Sequence, residues 1–77
     1  MGTKVLLTFE LIPSGDVVEI HANKEGLAQL IEMLQRVLQH GGHDHLMTPS
    51  WGGWELSEEK QGEDSTLINH VKIILWK

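Results

Sequence analysis

Three of the chain's five histidines fall within six residues, as His40, His43 and His45, with Asp44 between the last two. Imidazole is both a metal ligand and the side chain that exchanges protons near neutral pH, so an H-x-x-H-x-H spacing raises metal chemistry first. In extended backbone, residues two apart point the same way, which would offer His43 and His45 to one ion. His40 at a helix end, or His70 far along the chain, would supply a third nitrogen. The pattern is compatible with zinc without specifying it, since a catalytic zinc also needs an open coordination position and a base. The alternative is that these imidazoles bond backbone groups or stand in water.

The same stretch carries indoles. Trp51 and Trp54 flank Gly52-Gly53, behind Pro49. Residues 41–54 hold two histidines, two of the three tryptophans and four of the eight glycines, with no helical or strand period. The stretch 41–53 is therefore expected to be an irregular loop on a rigid scaffold, the usual location of a binding surface. Asp44 can accept from amides of its own loop and stiffen it. The two rings either close a thin core or present at least one exposed anchor to a protein partner, where Trp is enriched.

Catalysis finds little support. Ser50 does not sit in a G-x-S-x-G turn between strand and helix, and Gly52-Gly53 is too short to cradle phosphate. Glu58 and Glu59 are adjacent and cannot face each other as acid and base. No catalytic residue and no cofactor is assigned, and the chain is read as a non-enzyme.

The formal net charge is −5, with six scattered basic residues. Phosphate binding wants clustered Lys and Arg, so nucleic acid is not an expected partner. The acids do cluster: Glu55, Glu58, Glu59, Glu63 and Asp64 surround only Lys60. This is either a solvated loop or a surface that steers a basic partner through Glu58, Glu59 and Glu63. The 77 residues include no cysteine, so neither disulfides nor thiolate metal sites are available. No apolar run is long enough to span a membrane. The first twenty residues lack the basic start and apolar block of a secretory signal, and Met1 reads as a true start, so a cytoplasmic location is expected.

The elements that position these residues read as follows. Val5 to Ile12 alternates, with Val5, Leu7, Phe9 and Leu11 on one face and Leu6, Thr8, Glu10 and Ile12 on the other. Pro13-Ser14-Gly15-Asp16 is a turn, and Val17 to Ala22 returns as the second strand of a hairpin, Val18 and Ile20 inward. Asn23 caps a helix whose Leu27, Leu30, Ile31, Leu34 and Leu38 predict one buried stripe, widened by Met33 and Val37, with Gly41 at its end. Trp54 to Ser57 predicts a short strand, Glu58 to Ser65 a mobile turn, and Thr66 to Trp76 a long central strand. The expected architecture is α+β: one domain over 1–77, a four-stranded sheet in ββαββ order, with one amphipathic helix packed on one face. One helix cannot cover both faces. The second face, or an edge, is expected to be covered by the special loop, by a partner or by a second copy.

The helix ending in Gly41-Gly42, the run His43-Asp44-His45-Leu46-Met47, Pro49-Ser50-Trp51-Gly52-Gly53, Glu55-Leu56 and Asn69-His70-Val71-Lys72-Ile73 resemble the bacterial immunity protein 32 family of polymorphic toxin systems. The resemblance runs from Val18 to Trp76, and the 41–53 stretch is its distinctive part. It implies a small cytoplasmic protein that neutralises a cognate toxin domain by protein–protein contact. His43, Asp44, His45, Met47, Trp51, Gly52 and Gly53 match the motif. Beside that reading stand two others: a small metal-binding protein using the His-rich loop, and an oligomeric domain without a ligand.

Overall fold

A computed structural model of the chain describes residues 4–77. Met1, expected as a true start, lies outside the described residues. The elements are β1 (Leu7–Leu11), β2 (Val18–Ala22), α1 (Lys24–His40), β3 (His43–Met47), a 3-10 turn at Pro49–Trp51, β4 (Thr66–Ile68) and β5 (His70–Ile74). They form an α+β fold with two antiparallel sheets, β2-β1-β4 and β3-β5. The expected single four-stranded sheet is corrected to this pair.

Three local differences explain the correction. First, His43–Met47 is a strand inside the stretch expected to be irregular. Its one large apolar inward residue, Leu46, is fully buried, while His43, His45 and Met47 point the other way. Second, Trp54–Ser57 is not a strand. Its Leu56 amide donates to the Met47 carbonyl at 3.2 Å and its Ser57 amide to the Leu7 carbonyl at 2.8 Å, so it bridges the two sheets. Third, the last strand divides at Asn69 and ends at Ile74 instead of Trp76. Asn69 turns its carbonyl and side chain to Thr48, accepting from the amide at 3.0 Å and from the hydroxyl at 2.8 Å. The alternation restarts there. Ile68 lies opposite Phe9, whereas Val71 and Ile73, two and four residues beyond Asn69, pack on the core.

The helix is rotated from its expected setting. Asn23 caps it, accepting from the Gly26 amide at 2.8 Å and the Leu6 amide at 3.0 Å, and so fixes it to β1. The buried positions are Gly26, Leu30, Met33 and Val37. A Cβ at Gly26 would stand 1.7 Å from the Leu6 carbonyl oxygen, so only glycine permits this approach. Leu27, Ile31, Leu34 and Leu38, one residue out of phase, are exposed. The core is Leu7, Leu30, Met33, Leu46 and Leu56, with Phe9, Val71 and Ile73 against it. Val18 and Ile20, expected inward, are 52% and 51% exposed.

The segment expected as a mobile turn covers part of the second face. Glu10 and Thr8 are fully buried beneath residues 61–65. The Glu10 carboxylate accepts from the Thr8 hydroxyl at 2.5 Å, the Ser65 hydroxyl at 2.6 Å, and the Gly62 and Gln61 amides at 2.8 and 3.0 Å. Burial pushes its pKa up, but these four donors outweigh burial and hold it at about 2, against the usual 4.5.

Candidate functional site

Strand β3 pairs with β5 in the register His43↔Ile74, His45↔Lys72 and Met47↔His70. Directly opposite residues share a face. Leu46, Val71 and Ile73 turn to the core. The other face therefore carries His43, His45, Met47, His70, Lys72 and Ile74. Its rings form a contiguous row. His43 meets His45 edge-on with centroids 5.0 Å apart. His45 meets His70 at 5.0 Å, tilted 30°, and Trp51 meets His70 at 5.9 Å, tilted 40°. Trp51 and Trp54 are 56% and 65% exposed, so neither indole closes the core.

This row is held from behind. Thr48 is fully buried, and its carbonyl accepts the Trp51 and Gly53 amides at 2.9 and 3.0 Å. A Cβ at Gly53 would lie 2.4 Å from the Met47 carbonyl oxygen, which excludes any larger residue without a shift of the turn. The Glu55 carboxylate accepts from the Met47 and Trp54 amides at 3.1 and 3.2 Å, and the Glu55 carbonyl takes the Gln29 side chain at 3.0 Å. Burial raises the Glu55 pKa, but the amide bonds and the Arg36 charge outweigh it and leave the group below its usual range. Trp51 is thus presented on a turn in which every backbone amide from Ser50 to Trp54 has a partner, which is preorganisation in the physical sense.

The acidic residues divide. The Ser50 hydroxyl and, next, the Ser50 amide in the 3-10 turn bond the Glu58 carboxylate and hold its pKa below the usual range. Glu59 pairs with Lys4 at 2.8 Å, both side chains well exposed, a contact worth little to stability. Glu63 and Asp64 are exposed beyond Lys60, which donates to the Glu63 and Ser65 carbonyls. Glu58 therefore borders the tryptophan turn, and Glu63 belongs to the segment over Glu10.

The residues named from sequence are gathered only in part. His43, His45 and Trp51 come together, and His70, named there only as a metal ligand, joins them. Asp44 turns to the opposite side of β3, and its carboxylate accepts the His45 amide at 2.9 Å. His40 does not join the row. It lines a surface cavity of about 140 Å³ with Arg36, Val37, Gly41, His43 and Asp44. The proposed ligand set His40, His43, His45 and His70 is not assembled. His45 Nδ1 and His70 Nε2 lie 2.8 Å apart, so one carries a proton and the other accepts it, and these two nitrogens face each other instead of a common ion. Among the described residues, no group of three or more His, Cys, Asp or Glu is placed to hold a metal ion. Met47, Lys72 and Ile74 complete the face and were not singled out as its members. Their signal was the period of two, once β3 is known to be a strand.

Among the described residues, no helix is long and apolar enough to cross a membrane. No curated protein and no solved structure gives a significant match to the chain. A family model described as Immunity protein 32 matches residues 17–71. That span holds β2, the helix, β3, the tryptophan turn and all of the ring row, and the chain belongs to the immunity protein 32 family.

Proposed function

We propose that this chain binds a cognate bacterial toxin domain in the cytoplasm and neutralises it by protein–protein contact. The docking face is the ring row of His43, His45, His70 and Trp51, with Trp54 beside it and Asp44 bracing β3 from behind. The observation that carries the reading is an exposed indole and three linked imidazoles fixed on a turn and strand whose far side is the core. Aromatic anchors of this kind lose little freedom on binding and dominate interface energetics. Glu58 at the edge of the tryptophan turn, with Glu59 and Glu63 farther along the same acidic stretch, steers a basic partner toward this face. Occlusion of the toxin's own active site requires no catalytic group and no cofactor in this chain.

Where a toxin domain is encoded beside this chain, co-expression of the two should restore growth and yield a complex that co-purifies. Failure to protect against that toxin, with the immunity chain folded and expressed, would overturn the reading.

A further inference from the structure

The ladder between β1 and β2 fixes which backbone groups of β2 are used. The Asn23 amide donates to Leu6 at 3.1 Å and the Ile12 amide to Val17 at 3.0 Å, bracketing the register Thr8↔His21 and Glu10↔Glu19. Alternation then turns the polar groups of Val17, Glu19 and His21 toward β1, and those of Val18, Ile20 and Ala22 outward. Among the described residues, β2 pairs with β1 alone. Its sequence, VEIHA, contains neither the Lys nor the Pro that commonly blunts a sheet edge.

That edge is complementary to itself. Place two β2 strands antiparallel with the dyad at Ile20. Ile20 then lies opposite Ile20 of the second copy, and Val18 opposite the partner's Ala22. All three outward-facing residues fall in hydrogen-bonded pairs. Glu19 falls opposite the partner's His21 in the closer, non-hydrogen-bonded pairs, twice over. Within one chain these two side chains already meet at 2.9 Å, so both lie on one face and each carboxylate meets an imidazole across the dyad. On the other face Val18 and Ile20, cross-strand neighbours of Leu11 and Phe9, meet their counterparts as half-exposed apolar groups. The helix continues that apolar character. Gln29 bonds the Glu55 carbonyl, which sets the Glu25–Gln29–Glu32–Arg36 flank toward the 53–57 segment. Leu27, Ile31, Leu34 and Leu38 therefore occupy the opposite flank, and all four are exposed.

We propose that the occupant of this edge is a second copy of the chain, joined by antiparallel β2–β2 pairing centred on Ile20 into a twofold dimer. The contact is isologous, so it closes at two copies. It uses β2 and leaves the β3–β5 ring row of each copy open. The proposal is independent of any toxin, and toxin binding by a monomer would leave that reading intact while removing this one.

Sedimentation of the purified chain across a concentration series, from about 1 μM to about 1 mM, reads the association. The wild type is expected to shift from monomer to dimer. Glu19→Lys places Lys against the partner's His21 and should weaken dimerisation at least about tenfold, whereas Glu19→Lys with His21→Glu should recover it to within about threefold. Both side chains are partly exposed, and circular dichroism checks that each variant stays folded. Crosslinking is a second measurement. The chain has no cysteine. Directly opposed residues in a hydrogen-bonded pair have Cα atoms about 5.5 Å apart, within disulfide reach. Ile20→Cys should oxidise to a covalent dimer faster than Leu38→Cys, which sits at a more exposed position. A monomeric mass throughout, a dimer indifferent to Glu19→Lys, or equal oxidation of the two cysteine variants overturns the proposal.

Discussion

The chain presents two polar strand faces and treats them oppositely. On β1, Thr8 and Glu10 are sealed under residues 61–65, with four donors converging on one carboxylate. On β3 and β5, exposed His43 and half-buried His45 and His70 form a row with the exposed Trp51 of the neighbouring turn, above an apolar floor. Both faces are equally polar in sequence. The difference lies in whether the neighbouring segment supplies matching donors. Where it does, a buried charge organises the fold. Where it does not, the side chains remain at the surface.

The largest expected effect falls on the sealed face. Glu10→Gln keeps the shape but turns an amide donor toward hydroxyl and amide donors, and should cost about 3 kcal/mol in denaturant unfolding. Acid titration sharpens the same point. The folded-state pKa of Glu10 is depressed, so its contribution is fully present above the usual 4.5 and is lost as pH falls toward about 2. The gap corresponds to about 3 kcal/mol, an upper bound for one group. The wild type should therefore lose stability steeply between these pH values, and Glu10→Gln should show a flatter slope. Parallel acid curves for the two proteins would refute the role given to Glu10.

Trp51→Ala should do the reverse. It removes an exposed ring, so unfolding should change by less than about 0.5 kcal/mol, while toxin affinity should fall about 30- to 100-fold. A large loss of stability with unchanged affinity would exchange the roles of the two faces. The smallest effect is kinetic. Neutralising Glu58, Glu59 and Glu63 together should slow association several-fold and flatten its dependence on salt, leaving the dissociation rate nearly unchanged. An unaltered association rate would remove the acidic margin from the interface.

The hairpin, the helix and the paired orientation of His43 and His45 were legible in the sequence, because each rests on local period and capping. The identity of β3 was not. His-Asp-His-Leu-Met contains one strongly buried side chain, and its partner strand begins more than twenty residues later. The helix face was ambiguous for a different reason. Leu27-Ile31-Leu34-Leu38 and Gly26-Leu30-Met33-Val37 obey the same period one residue apart, and apolar counting takes in both, rightly placing Leu30, Met33 and Val37 inside and wrongly adding Leu27, Ile31, Leu34 and Leu38. Gly26 was the available signal, since a glycine early in a helix marks a close approach. The burial of Glu10 could not be read at all, because its donors Gln61, Gly62 and Ser65 lie over fifty residues away and look like solvent-facing turn.

The break at Asn69 also sets a timetable. Residues 66–68 complete one sheet against residues 9–11, and residues 70–74 complete the other against residues 43–47. During synthesis the hairpin and helix can form early, yet neither sheet closes until this final stretch has left the ribosome. The ring row therefore assembles late, and a nascent chain halted before residue 66 lacks the His70 that joins it.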